Sequence, residues 1–353
     1  MKLKLNLMLL SFLLIYSVPA LAEVSVGGKV EANINTVFSD DGDLKTFQEE
    51  KLNLELFLPV KGDTEANFEI DLSNQSDGGV KTRLKKLYLE NHFSNFDLSL
   101  GRQPISWSFG SLLNPVDFSL GAEAMDEDTS AKNVDAAELY YPFNWNTSFT
   151  SVVGIPNTGK TKVGVRGRTY YKGYDLSLNY VNDATDKDMS RVGISAKGDI
   201  ASVGAYGAVG YYFEQKAPTY LIGIDYSFFL NDVNKITVQA EYLHDQADFL
   251  ESVLGEMLSL DGASIANLQV PRDLLAIMSK YDIDDFSSIK AFVVTSPLDD
   301  VSTLLGGEYH SQLNSNLDFK VTLSTLTSKN KVWNIDKSDL YKGQLGVSFE
   351  YSF

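Results

Sequence analysis

The last eleven residues constrain the fold of this chain more than any other segment. Residues 343–353 read GQLGVSFEYSF, so every second position is apolar and the final residue is aromatic. Alternate side chains of a β-strand point to opposite faces. One face of this strand therefore carries Leu345, Val347, Phe349, Tyr351 and Phe353. An apolar stripe of this kind is typical of a membrane β-barrel strand, whose outer face contacts lipid.

The other end of the chain has the features of an export signal. A basic start with two lysines precedes an apolar run over residues 5–18, and Ala-Leu-Ala at 20–22 forms a cleavage site of small residues. We expect residues 1–22 to be a signal peptide and residues 23–353 to be the mature protein. The apolar run is shorter than the roughly 20 residues of a spanning helix, so a helical membrane protein is not expected.

Composition excludes several classes of function. The chain carries 47 acidic against 30 basic residues, for a net charge of −17, which argues strongly against nucleic-acid binding. It contains no cysteine, so disulfides and thiolate metal sites are excluded. Only three histidines are present, and neither a serine-nucleophile motif nor HExxH occurs. We therefore expect no enzyme, no catalytic residue, no cofactor and no bound metal.

Short segments of alternating apolar and polar residues recur along the whole chain. This pattern predicts an all-β fold, a transmembrane antiparallel barrel of about sixteen strands. The predicted strands lie near residues 24–38, 51–58, 65–72, 81–92, 96–104, 134–142, 147–154, 162–171, 175–182, 191–198, 201–213, 219–229, 235–246, 302–311, 317–328 and 340–353. Short polar turns follow the even-numbered strands, which places both termini on the periplasmic side and the longer loops outside.

Two connections are unusually long. The third loop spans about 105–133, and the seventh spans about 247–301. The seventh has apolar residues at helical spacing, including Leu274, Leu275 and Met278 after Pro271, whereas 289–294 is compatible with a short strand. Loops this long are usually functional or disordered. We expect a constriction loop at 105–133 and a partly helical cap or plug at 247–301.

The charged residues that face the lumen are the candidate functional set. A barrel of this size keeps an aqueous channel, and rings of charge then act as filters. The alternative is that these residues only keep the lumen wet and pair with one another. The candidates on the wall are Glu31, Glu55, Glu65, Glu69, Asp71, Arg83, Lys86, Arg166 and Arg168. The predominantly acidic early strands favour a preference for cations.

The third loop adds acidic candidates, namely Asp117 and the run Asp126, Glu127 and Asp128. If the loop folds inward, its acidic residues would face the basic wall and create a transverse field across the narrowest section. That field would orient polar solutes. The alternative is an acidic run at a solvated loop tip.

A short motif in the same region resembles Gram-negative porin-like outer-membrane proteins. It consists of Gly101-Arg102-Gln103, then Ser106-Trp107, then Asn114-Pro115-Val116-Asp117. The terminal aromatic strand likewise resembles the signal that the outer-membrane assembly machinery reads at Phe353. By this resemblance Arg102, Gln103, Trp107, Asn114 and Asp117 organise the third loop, although Asn114-Pro115 can equally fix a turn.

These features together predict an outer-membrane, porin-like channel for passive diffusion of small hydrophilic solutes, filtered by size and lumen charge. Its expected partners are outer-membrane lipids, those solutes and the assembly machinery; porins of this strand number are often homotrimers. One alternative is a gated or plugged transporter for a specific larger or apolar compound. Another is a structural or adhesion barrel.

Overall fold

A computed structural model describes the chain from residue 24 to residue 353 with internal gaps. The described residues are 24–39, 43–58, 62–76, 79–107, 109, 114–118, 133–155, 161–183, 189–231, 233–247, 272–297, 302–328 and 341–353. The expected signal peptide at 1–22 lies outside them. Within these residues no helix is long and apolar enough to cross a membrane.

Eighteen strands form one sheet. They are β1 (Ser25–Ser39), β2 (Leu44–Phe57), β3 (Thr64–Gln75), β4 (Gly79–His92), β5 (Asp97–Pro104), β6 (Asn133–Asn144), β7 (Thr147–Gly154), β8 (Lys162–Tyr171), β9 (Tyr174–Asp183), β10 (Arg191–Ile200), β11 (Val203–Tyr212), β12 (Ala217–Phe229), β13 (Lys235–Asp245), β14 (Asp273–Asp282), β15 (Ser287–Thr295), β16 (Ser302–Asn314), β17 (Leu317–Ser328) and β18 (Tyr341–Ser352). Each strand pairs antiparallel with its neighbours in sequence. The predicted all-β barrel is therefore confirmed.

The barrel closes between its first and last strands. β1 pairs antiparallel with β18, and Lys29 lies opposite Ser352 in this register. The last residue completes the seam, because the Phe353 N–H donates to the Gly28 carbonyl at 3.0 Å and the Gly28 N–H donates to the Phe353 carbonyl at 3.2 Å. The sheet has no free edge, which is the condition for a β-structure to stand in hydrocarbon.

The prediction of sixteen strands was two strands short, and both missing strands lie in the region predicted as a long loop. Residues 273–282, predicted to be helical, form β14, and residues 287–295 form β15. The helical spacing misled because apolar residues occupy both faces of β14. Leu274 packs against the buried cluster inside the barrel, whereas Ile277 is exposed on the outer face. The other predicted helix, near 249–258, lies outside the described residues.

The two added strands leave the predicted topology unchanged. Short turns follow the even-numbered strands, for example at 145–146, 172–173 and 315–316. The turn after β14, at 283–286, belongs to the same set. The start of β1 and the end of β18 lie at this end of the barrel, called here the short-turn end.

Alternation sorts the side chains onto two faces, as the register shows. The outer face is apolar; it carries Val30, Leu100, Leu178, Ile194, Ile222 and Phe349, all exposed. The inner face carries most of the charged residues, such as Glu69 and Arg191. A sheet with an exposed apolar outside and a polar inside is the pattern of a transmembrane barrel.

Because residues 273–282 form a strand, two adjacent apolar residues of β14 face opposite sides of the sheet and should tolerate a charged side chain differently. Ile277 lies at the middle of β14 on the outer face, and Met278 pairs with Phe292 on the inner face. We expect Ile277→Arg to lower the free energy of unfolding by about 2–4 kcal/mol, the cost of a basic residue facing lipid at mid-depth. Met278→Arg should cost clearly less. Urea unfolding of refolded protein in lipid vesicles measures both values; equal costs would contradict the assignment.

Candidate pore constriction and lumen wall

The described part of the third loop, residues 105–107, 109 and 114–118, lies inside the barrel. Its side chains form two buried apolar clusters with inward residues of β6–β14. In one cluster Trp107 and Phe118 pack with ring centroids 5.4 Å apart. In the other, Val116 packs against the wall, and nearby Phe109 meets the Tyr206 ring edge-on at 5.5 Å. The loop therefore occupies part of the lumen along one side.

Three wall residues hold the loop by its backbone, and we call them the carbonyl clamp: Asn179, Arg191 and Tyr212. The Tyr212 hydroxyl donates to the Pro115 carbonyl at 3.0 Å, and Asn179 Nδ2 donates to the Val116 carbonyl at 3.1 Å. Arg191 Nη2 donates to the carbonyls of Asp117 and Phe118. Four consecutive carbonyls of the loop, 115–118, are thus bound by the wall.

Asp117 is buried and holds the loop together internally. Its carboxylate accepts the Trp107 N–H at 2.7 Å and the Ser106 hydroxyl at 3.4 Å. Asn114 Oδ1 accepts the Val116 N–H at 3.1 Å, which is a local Asx turn beside Pro115. These contacts give Asp117 a positioning role within the loop. The acidic run Asp126, Glu127 and Asp128 lies outside the described residues.

Glycines on the wall make room for the loop. A Cβ at Gly164 would come within 2.7 Å of atoms of both Phe118 and Trp107. A Cβ at Gly210 would lie 2.7 Å from the Pro115 carbonyl oxygen. Any larger residue at these positions would push the loop off the wall.

The opposite side of the lumen is charged, and its densest cluster surrounds Glu69. A β-bulge in β4 sets both Lys85 and Lys86 against Glu69, with Nζ–carboxylate distances of 2.8 and 2.6 Å. Asn53 Nδ2 donates to Glu69 and to Asp71 at 2.7 Å each. A bulge inserts one extra residue and re-aims the neighbouring side chain. The cluster is therefore an ion-pair network on the lumen wall.

The remaining acidic candidates of the first strands also face inward. Glu31 lies 3.8 Å from Lys51 and accepts Asn33 Nδ2 at 2.8 Å. Glu55 lies opposite Glu69, and Arg83 lies opposite Asp71.

The basic candidates on the other strands differ in their partners and in the face of the sheet on which they lie. Arg168 forms a bidentate pair with Asp175, with nitrogen–oxygen distances of 2.8 and 2.5 Å. Arg166 faces the lumen one inward position below Gly164, and its Nε is buried with no partner among the described residues. Arg102, a constriction candidate through its expected role in organising the third loop, points away from the lumen: it lies opposite Leu87 on the outer face and pairs with Asp135 at 3.1 Å.

A polar cavity of about 380 Å³ opens at the short-turn end, on the charged side of the lumen. It is lined by residues of β1 and β14–β18, among them Lys29, Lys290, His310, Lys320 and Glu350. The described part of the third loop packs on the other side, against β6–β14. The open part of the lumen is therefore hydrophilic.

Sequence reasoning did not identify Lys85 or the carbonyl clamp. Lys85 joins the inner face only because of the bulge, which alternation does not reveal. Arg191 and Asn179 do fall on inward positions of their strands, and that parity was a usable signal. Their partners are backbone groups 63 and 74 residues away, which no local pattern specifies.

Comparison with known proteins supports the fold. No family model matches the chain, and no curated protein matches it significantly. Wzi, a carbohydrate-binding outer-membrane β-barrel involved in group 1 capsule assembly in Escherichia coli, is 12% identical over 95% of this chain and 86% of its own, with a TM-score of 0.62. Pseudomonas aeruginosa OccK2 (OpdF) is 12% identical over 94% and 99%, with a TM-score of 0.60.

A third solved structure, the anion-selective porin from Comamonas acidovorans, is 12% identical over 94% of this chain and 99% of its own, with a TM-score of 0.50. At these identities the likeness establishes the fold alone. The chain has the closed-barrel architecture of outer-membrane porins, as the sequence predicted.

The glycine contacts predict a position-specific cost on β8. Gly164→Leu should lower the free energy of unfolding by roughly 1–3 kcal/mol, because its side chain would overlap Phe118 and Trp107. Gly167→Leu is the matched control, since a Cβ there meets nothing within 4 Å. Urea unfolding in vesicles compares the two, and equal stability of both variants would show that the loop does not rest on Gly164.

The carbonyl clamp predicts that Arg191 fixes the third loop. Arg191→Met leaves the Asp117 and Phe118 carbonyls without this donor, at a cost of roughly 1–3 kcal/mol, and should loosen the loop. The chain has three tryptophans, so a W145F/W333F background isolates Trp107. Acrylamide should then quench Trp107 fluorescence more strongly in Arg191→Met than in the background protein. Arg168→Met, which removes an exposed ion pair, should leave quenching unchanged.

Proposed function

We propose that this protein is an outer-membrane channel for passive diffusion of small hydrophilic solutes, selected by size and by the charge of the lumen wall. One observation carries the proposal: the described part of the third loop lies inside a closed barrel and is held to one side, opposite a charged wall. Such an arrangement narrows the lumen and leaves a polar route through it.

Residues 105–133 act as the constriction loop in this proposal. The carbonyl clamp and the two apolar clusters hold its described part at one height in the barrel. Because the clamp binds main-chain groups, the loop stands as a fixed obstacle. Solutes then pass between it and the wall formed by β15–β18 and β1–β4.

The charged wall acts as the filter. Its acidic and basic groups are largely paired, for example Lys29 with Glu350 at 3.0 Å and Lys86 with Glu69 at 2.6 Å. A paired wall presents alternating charges to a passing solute, so we expect weak discrimination between small ions. Arg166 faces the lumen one inward position from Gly164, and its Nε has no hydrogen-bond partner among the described residues.

The same proposal includes the orientation of the barrel in the outer membrane, its export and its assembly. The short-turn end faces the periplasm, residues 1–22 direct export, and the terminal strand with Phe353 is the segment that the assembly machinery recognises. The exposed apolar outer face contacts lipid. A homotrimer is the assembly expected by analogy with general porins.

Single-channel recording of refolded mature protein in a planar bilayer tests the function. We expect steady conductance, and a reversal potential under a salt gradient that shows weak ion selectivity. A second protein lacking 249–270 serves as comparison, because that deletion spares β13 and β14. Silence in the wild type with conductance in the deletion would replace the proposal by a plugged transporter. Silence in both, with correctly folded barrels, would indicate a structural or adhesion role.

A further inference from the structure

Three potential metal-ligating side chains meet on the inner wall at the short-turn end. Glu65 of β3 and Glu90 and His92 of β4 each offer one ligand atom, and these atoms lie within 4.8 Å of one another. All three occupy inward positions, since Glu65 pairs with Glu90 in the same register that sets Glu69 against Lys86. The group therefore lines the mouth of the lumen.

His92 is held with one ring nitrogen directed at this group. Its Nδ1 lies 2.9 Å from Asp97 Oδ1, and its Nε2 lies 3.6 Å from Glu65 Oε1. An Nδ1–H donated to Asp97 leaves the Nε2 lone pair facing the two glutamates. A carboxylate on the far nitrogen of a histidine is the arrangement that orients metal-binding imidazoles in proteins.

The hairpin between β4 and β5 keeps this geometry in place. Phe93 and Phe96 stack across the turn with ring centroids 4.5 Å apart, and the Phe93 N–H donates to the Phe96 carbonyl at 2.9 Å. His92 consequently lies directly opposite Asp97 in the ladder. The orientation of the ring is thus set by the fold, independently of the two glutamates.

The two glutamates place like charges opposite each other on the wall. Glu65 lies directly opposite Glu90, and like charges at such a cross-strand position are destabilising. Elsewhere on the wall, Glu69 faces two lysines and Glu350 faces Lys29. Among the described residues, no lysine or arginine forms an ion pair with Glu65 or Glu90. A bound divalent cation would supply the missing positive charge.

We propose that Glu65, Glu90 and His92 form a binding site for a divalent transition-metal ion such as Zn²⁺. His92 Nε2 and one oxygen from each glutamate are the ligands, and Asp97 is a positioning residue. Zinc binds imidazole nitrogen and carboxylate oxygen at about 2.0–2.2 Å, which needs ligand atoms roughly 3.3–3.5 Å apart. The side chains are 42% exposed at His92 and Glu65, so they can close by that amount, and a fourth position stays open to water.

Such a site changes the expectation of no metal, which rested on the absence of cysteine and of a metal-binding sequence motif. Glu65 comes from a different strand than Glu90 and His92 and is separated from them by more than twenty residues in sequence, so no local motif records the site. The proposal does not depend on the barrel being an open channel. Metal binding and conductance can succeed or fail separately.

Isothermal titration of EDTA-stripped, refolded mature protein with Zn²⁺ tests the site, with bound zinc counted by elemental analysis after gel filtration. We expect one saturable site per chain in the wild type. H92Q and E90Q should each weaken binding at least tenfold. D97N should weaken it roughly 10–100-fold, the usual effect of removing the carboxylate behind a ligating histidine. Tetrahedral Co²⁺ absorption should appear in the wild type and be absent from H92Q.

H310Q is the matched control. His310 lies at the same end of the barrel and also pairs with a carboxylate, Asp318, at 3.1 Å, but it lies beside Lys320 in the lining of the polar cavity. It should bind zinc as the wild type does. E90Q relieves a like-charge pair, so it should fold even if H92Q does not. Heat-modifiable mobility on gels reports folding of each variant. Absence of saturable binding in the wild type, or equal loss in H310Q and H92Q, overturns the proposal.

Discussion

Backbone hydrogen bonding around the closed ring of eighteen strands is the constraint on which the rest of the structure depends. An unpaired peptide group in hydrocarbon costs several kcal/mol, so a sheet in lipid must have no edge. The β1–β18 seam and the Phe353–Gly28 hydrogen bonds meet that requirement. Once the ring is closed, the alternation of side chains along each strand determines which residues face lipid and which face the lumen. Each strand must present one face to lipid and one to the lumen, so the charged side chains concentrate on the inner face.

The alternation of apolar and polar residues was sufficient to predict a strand where one face is uniformly apolar and the other uniformly polar. In β3, the apolar residues Phe68 and Ile70 and the acidic residues Glu69 and Asp71 separate cleanly, and the strand was predicted from sequence. It failed at β14, where Leu274 and Ala276 face inward against the buried cluster while Ile277 faces outward. The interior is apolar at that height because the described part of the third loop packs there. A strand with two apolar faces looks like an amphipathic helix, and the misassignment followed.

The candidate site was predictable in outline and unpredictable in detail. Arg83 and Lys86 were both expected to face inward although their positions differ in parity, and the bulge at Lys85 is what allows both to do so. Arg102 has the wrong parity and lies outside on Asp135. The contacts of Arg191 and the cross-strand pairing of Glu65 with Glu90 depend on register and on distant segments. Local pattern carries no information about either.

The carbonyl clamp fixes the position of the third-loop backbone through main-chain hydrogen bonds. Asn179, Arg191 and Tyr212 bind the main chain at 115–118, so these hydrogen bonds do not depend on which side chains the loop carries there. A substitution at a loop position that faces open space leaves all of these bonds in place. The loop side chains that contact solutes can therefore change between related barrels while the loop backbone keeps its position. Solute selectivity can change in this way without a change in the barrel.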